Sequence, residues 1–173
     1  GKCRNSVQLW ENGTVTWRAM ARIHQINISD GGVPKLPLDQ ATVGVDGMDG
    51  DRQADRKHHG GPDQTLCLYS LEVIEMLRAE GHPIAPGSAG ENLTISGLDW
   101  ASVAPEQRFR IGADLTIEIT DVTTPCAKNA QWFVDRNFRR MSDSKHPGSS
   151  RWYAKVLTPG LVKTDDPVVQ LSS

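Results

Sequence analysis

Cys126 is the residue of this 173-residue chain whose type and setting best suit chemistry. Thr124 and Pro125 precede it, and a residue before proline is held extended, while a helical pattern begins within about three residues. The thiol is therefore expected at a strand-to-helix junction. There, helix-terminal N–H groups and the nearby Lys128 would favour the thiolate, the form that attacks electrophiles and binds soft metals. A free cysteine is as commonly a small buried hydrophobe, and both readings stand for Cys126. Cys67, inside "TLCLY", reads as packed core, and Cys3 as part of the chain terminus. Three widely spaced cysteines fit free thiols in a reducing compartment better than a disulfide framework.

A second group of chemistry-bearing residues lies in "GMDGDRQADRKHHGGPDQTLCLYS", residues 47–70. On a strand, the adjacent His58 and His59 would point to opposite faces and would not readily chelate one ion together. In an irregular turn, one of them can face a ligand as hydrogen-bond donor or proton source. Gly60 and Gly61 would let the backbone approach that ligand closely or take a positive φ. Arg52, beside Lys35 if their loops meet, offers a fork for phosphate or carboxylate; the alternative is a surface pairing with Asp49, Asp51 or Asp55. The spacing is that of neither an EF-hand loop nor a Walker A loop. Glu91 and Asn92, in "GENLTISGL", stand where a strand begins, suited either to reading the edge of a heterocycle or to holding a turn.

The elements that must position these residues are short. "VQLWENGTVTW" surrounds Asn12-Gly13 with β-favouring residues and predicts a hairpin over residues 7–17. "RIHQINIS", "QATVG", "QTLCLYS" and residues 93–95 read as strands, and "DGGVPKLP" as a loop that exposes Lys35. "ADLTIEITDV" alternates Leu115, Ile117 and Ile119 with polar residues, the pattern of a half-buried strand. "SLEVIEMLRAEG" is the clearest helix, capped by Ser70 and stopped by Gly81. "NAQWFVDRNFRR" and "SSRWYAKVL" also read as helical. Many short strands with a few inserted helices argue against a doubly wound parallel sheet and for a mainly β (α+β) fold with a β-barrel core.

Length and composition fit one domain spanning residues 1–173. A net charge of -2 gives no general pull toward nucleic acid or anionic membranes, so any anion site must be local. No apolar run approaches the roughly 18 residues of a membrane span and no signal-peptide pattern is visible, so a cytoplasmic protein is expected.

In order and spacing, "GMDGDRQADRKHHGGPDQTLCLY", "GENLTISGL" and "RIGADLTIEITDVTTPCAKN" resemble the MOSC domain family, named for the C-terminal part of molybdenum cofactor sulfurases. With "GGVPKLP" the chain is similar to the single-domain YiiM-type members, and the matching segments span about residues 22–140. The resemblance implies a β-barrel core, a molybdenum-pyranopterin cofactor and a functional cysteine matching Cys126, which would ligate molybdenum. The arginine and histidines of the family segments fall at Arg52, His58 and His59, and Lys128 echoes the basic residue after the cysteine. A wall containing Lys35, Arg52, Gly60, Gly61, Glu91 and Asn92 would face the pterin and its phosphate. The activity implied is reduction of small N-hydroxylated compounds such as base analogues, with His58 or His59 as proton donor. The pyridoxal-phosphate-dependent desulfurase domain of sulfurase-type relatives has no counterpart here, so pyridoxal phosphate is not expected, and electrons or sulfur would come from a separate protein. A rival reading is a non-enzymatic carrier of the cofactor, or of persulfide sulfur on Cys126. A third is a metal-dependent hydrolase built from Asp49, Asp51, Asp55 and His59.

Overall fold

Alternation of apolar and polar residues places most of the strands, because in an extended chain successive side chains leave opposite faces. The computed structural model describes residues 6–11, 14–51 and 61–172. In chain order the strands are β1 (Ser6–Glu11), β2 (Thr14–Ala19), β3 (Arg22–Ile28), β4 (Leu36–Leu38), β5 (Gln40–Gly44), β6 (Gly47–Met48) and β7 (Leu66–Ser70). They continue as β8 (Leu93–Ser96), β9 (Arg108–Ile111), β10 (Leu115–Val122), β11 (Trp152–Thr158), β12 (Gly160–Lys163) and β13 (Val168–Gln170). The predicted N-terminal hairpin is present as β1 and β2.

Among the described residues, eight strands form the main sheet in the order β13-β9-β10-β11-β7-β8-β3-β4. Its pairs are antiparallel except β7 with β8. A parallel pair needs a crossover, and helix α1 (Leu71–Ala79) forms part of it. Ser70 caps this helix by accepting the Val73 N–H; of the face predicted over Leu71, Ile74 and Leu77, Ile74 and Leu77 are buried in the core together with Val73, while Leu71 is half-buried. Gly81 ends it at φ +97. β12, β5 and β6 form a separate small sheet.

The fold is mainly β with few helices and a mixed sheet, but the closed barrel expected from the sequence is not found among the described residues. The start of β3 does approach the residues leading into β13. Ile23 donates to the Asp166 carbonyl at 2.9 Å, Asp165 to Ile23 at 2.8 Å and Val168 to Ala21 at 2.8 Å, with one isolated bridge between Arg22 and Pro167. Proline has no N–H to give a ladder, so Pro167 cannot donate at that bridge.

Two predicted helices are corrected. "SSRWYAKVL" contains β11, held between β10 and β7, where ladder pairing on both sides overrides the helix preference of Ala154 and Lys155. "NAQWFVDRNFRR" yields two 3-10 segments, Ala127–Trp132 and Phe138–Met141, separated by Arg136 at φ 59 and by Asp135 accepting the Asn137 N–H. No helix among the described residues is long and apolar enough to cross a membrane.

Candidate functional site

Register sets a polar face on the main sheet. Cys67 pairs with Tyr153, Tyr153 with Asp121, Tyr69 with Thr94, and Thr94 with Gln25. Cross-strand partners share a face, so these residues lie on one side, with the fully buried Tyr69 also joining the apolar cluster, while Leu66, Leu68, Leu93, Ile95 and Ala154 enter the core on the other. Arg151, two residues before Tyr153, belongs to the polar side, and its carbonyl accepts the Thr123 N–H at 2.9 Å. Cys67 is buried but stands outside the contiguous apolar cluster, so it closes the core edge rather than filling its centre.

Three loops converge on this face. Lys35, predicted to be exposed, is buried: its Nζ meets Asp51 Oδ2 at 2.5 Å, and its N–H donates to the Gly87 carbonyl at 2.9 Å. The loop turns inward because Gly87, at φ +85, admits the Lys35 carbonyl where a Cβ would collide with it. Asp51 spends both oxygens, Oδ2 also accepting Asn92 Nδ2 at 2.8 Å and Oδ1 the Ser29 N–H at 2.9 Å. Asn92 Oδ1 accepts the Cys67 N–H at 3.0 Å.

Glu91 is fully buried. Its Oε1 accepts the Gly87 N–H at 2.6 Å and the Thr94 hydroxyl at 3.0 Å, whereas Oε2 has no partner among the described residues. Burial pushes its carboxyl above the usual range, against those two hydrogen bonds. Arg151 is 7% exposed; Nη1 donates to the Ala89 carbonyl at 2.6 Å, and Nε has no partner among the described residues. Burial raises the Cys67 thiol, with the Arg151 charge pulling the other way. Burial likewise pushes the Tyr153 phenol up to about 12, and this phenol also lies in the fields of Cys67, Arg151 and Cys126.

Cys126 is half-buried and caps the 3-10 segment Ala127–Trp132, the predicted strand-to-helix junction with a tighter helix than expected. Lys128 is exposed. Gly61 is exposed with φ -72, so nothing in its backbone requires glycine. Arg52, His58, His59 and Gly60 lie outside the described residues. The structure thus brings Lys35, Glu91 and Asn92 together around Cys67, with Tyr153 linking that group to Cys126. Sequence reasoning missed Arg151 and Tyr153. The signal for both was β11 itself, since a strand from residue 152 onward puts residues 151 and 153 on the Cys67 side.

Two further grooves, of ≈ 460 and ≈ 550 Å³, share Pro105, Glu106 and Glu118 but none of the cluster around Lys35 and Arg151. Glu118 is already bound there by Arg108 at 2.8 Å and Lys155 at 2.9 Å.

A family model described as MOSC domain matches residues 55–169. The protein YiiM of Escherichia coli K12 is 33% identical over 132 residues, which cover 73% of this chain and 57% of YiiM. The chain therefore spans little more than half the length of that relative. A protein of Gibberella moniliformis named a reductase is 26% identical over 127 residues, covering 70% of this chain and 22% of that one. The crystal structure of YiiM from Geobacillus stearothermophilus superposes with a TM-score of 0.66 at 22% identity, covering 88% of this chain and 75% of that one, a likeness of fold. With the family match running from the segment before β7 through the Cys126 turn and into β13, this chain belongs to the MOSC domain family as a YiiM-like member.

Proposed function

We propose that this chain binds a molybdenum-pyranopterin cofactor and reduces small N-hydroxylated compounds with electrons from a separate donor protein. The observation that carries the reading is the polar face of the sheet, where a half-buried Cys126 stands near Tyr153. Behind it, Glu91 Oε2 and Arg151 Nε are polar atoms without partners among the described residues. Buried polar atoms normally find partners, and a soft sulfur ligand beside unpartnered polar groups fits a cofactor with a molybdenum end and a heterocyclic end.

When bound, the cofactor supplies two-electron chemistry at molybdenum. Cys126 would hold the metal as thiolate. Glu91 would meet the pterin edge. Asn92, with both side-chain polar atoms engaged on Cys67 and Asp51, fixes the wall beside it. Lys35 is compensated by Asp51, so Arg52, with Lys128 near the mouth, is the better candidate for the cofactor phosphate. His58 or His59 would supply protons, and Gly60 and Gly61 would let the backbone approach. The reaction consumes two electrons and two protons, breaks the N–O bond and releases water with the reduced nitrogen compound.

The test is purification from a host that makes the cofactor, with metal analysis, pterin fluorescence and turnover of an N-hydroxylated base analogue. Stoichiometric molybdenum with turnover is expected. Molybdenum without turnover would favour a carrier, and zinc or manganese without pterin a hydrolase, against which the fully engaged Asp51 carboxylate already counts.

A further inference from the structure

Among the described residues, Arg151 is a buried cation without a carboxylate counterion. It is 7% exposed, and its guanidinium stays charged in proteins. The other buried cation of the cluster, Lys35, is matched by Asp51, but Arg151 makes no ion pair with any described carboxylate. Its guanidinium donates from Nη1 to the neutral Ala89 carbonyl and also contacts the Cys67 thiol, both uncharged partners, and its Nε has no partner among the described residues.

The neighbouring acidic groups are all shifted toward their neutral forms. Burial raises the Cys67 thiol and the Tyr69 phenol and holds the Tyr153 phenol at about 12, so all three are uncharged at neutral pH. Burial also pushes the Glu91 carboxyl toward its neutral form. An isolated charge inside a protein is costly unless something of opposite sign joins it. Gly90, at φ +92, lets the turn pack close to the guanidinium: a Cβ there would stand 3.0 Å from Val33 Cγ1 and 3.9 Å from Arg151 Nη1.

We propose that Arg151 is the receptor for an oxyanion, a phosphoryl or carboxylate group of a ligand that enters between the Gly87–Gly90 turn and the Cys67–Tyr153 face. The inference deepens the proposed function, because it places an anionic group of the cofactor or of the substrate at one residue of the same site. A guanidinium suits this role, since its planar fork donates two parallel hydrogen bonds to such groups.

The test uses cofactor-free protein and inorganic phosphate, followed by thermal unfolding and by 31P line broadening, with wild type, Arg151→Gln, Arg151→Lys and Arg108→Gln. Wild type and Arg108→Gln should show a saturable phosphate response. Arg151→Gln should weaken it by about tenfold or more, and Arg151→Lys by several-fold, because lysine keeps the charge without the fork. If Arg151→Gln does not fold, the lysine variant carries the comparison. Repeating the titration on cofactor-loaded protein separates the sources: a response abolished by loading assigns the oxyanion to the cofactor, and one that persists assigns it to the substrate. A wild type without saturable response, or Arg151 variants that bind phosphate as wild type does, would overturn the proposal. Preparations lacking molybdenum would count against the proposed function and leave the phosphate result standing.

Discussion

Asn92 holds Cys67 at both ends of its backbone: the Asn92 N–H donates to the Cys67 carbonyl at 2.8 Å, and Asn92 Oδ1 accepts the Cys67 N–H at 3.0 Å. The side-chain amide thus supplies a backbone-like bond just ahead of the parallel pairing of Leu68 with Leu93. Its Nδ2 then ties this point to Asp51. Asn92→Ala leaves a buried N–H unpaired, which should lower stability by about 1–3 kcal/mol in urea denaturation. An unchanged midpoint would show that water replaces the amide without loss.

Lys35 and Asp51 form a buried pair, with side-chain exposures of 8% and 6%. Removing one partner strands the other charge, so Lys35→Met should cost about 3–5 kcal/mol. The exposed Lys128→Met should change stability by no more than about 0.5 kcal/mol. Equal, small effects in calorimetry would mean that Lys35 reaches solvent after all.

How much of this was legible in the sequence depends on the kind of residue. Ser70, Ile74, Leu77 and Gly81 announce α1, and Leu115, Ile117 and Ile119 announce β10, because one period and one cap suffice. β11 was hidden: Ala154 and Lys155 favour helix, and only pairing with distant β7 and β10 makes the segment a strand. That hidden strand concealed Arg151 and Tyr153 with it. The burial of Lys35 was equally unreadable, since its partner Asp51 and the Gly87 turn that closes over it lie far away in sequence. Cys126 and its junction were legible locally, from Pro125 and the short helical turn that follows.

Glu91 should shape the pH dependence of stability. Its folded-state carboxyl titrates above the ordinary value of 4.5. Between the two values the folded protein binds more protons than the unfolded chain, so this contribution is fully present below 4.5 and is lost as pH rises through the folded value. Glu91→Gln removes the titration. Its melting temperature relative to wild type should therefore improve as pH rises above 4.5. Parallel profiles would indicate that Glu91 is not desolvated.

The two described thiols should differ in reactivity. Cys126 is half-buried, whereas Cys67 is buried and its thiol is raised by that burial. Alkylation followed by peptide mapping should modify Cys126 first, with Cys67 reacting only on unfolding. Cys67→Ala, which removes a buried sulfur at the edge of the core, should cost about 1 kcal/mol with cofactor binding intact. Early modification of Cys67, or selective loss of cofactor on its replacement, would transfer the functional role to that cysteine.

The molybdenum content of Cys126→Ser, purified beside wild type from a cofactor-producing host, tests the central claim most directly. The exchange is nearly isosteric, but a hydroxyl is a harder and far less acidic ligand than a thiol. The account predicts a folded variant of wild-type melting temperature that has lost its molybdenum. Full molybdenum loading with undiminished turnover in that variant would contradict it.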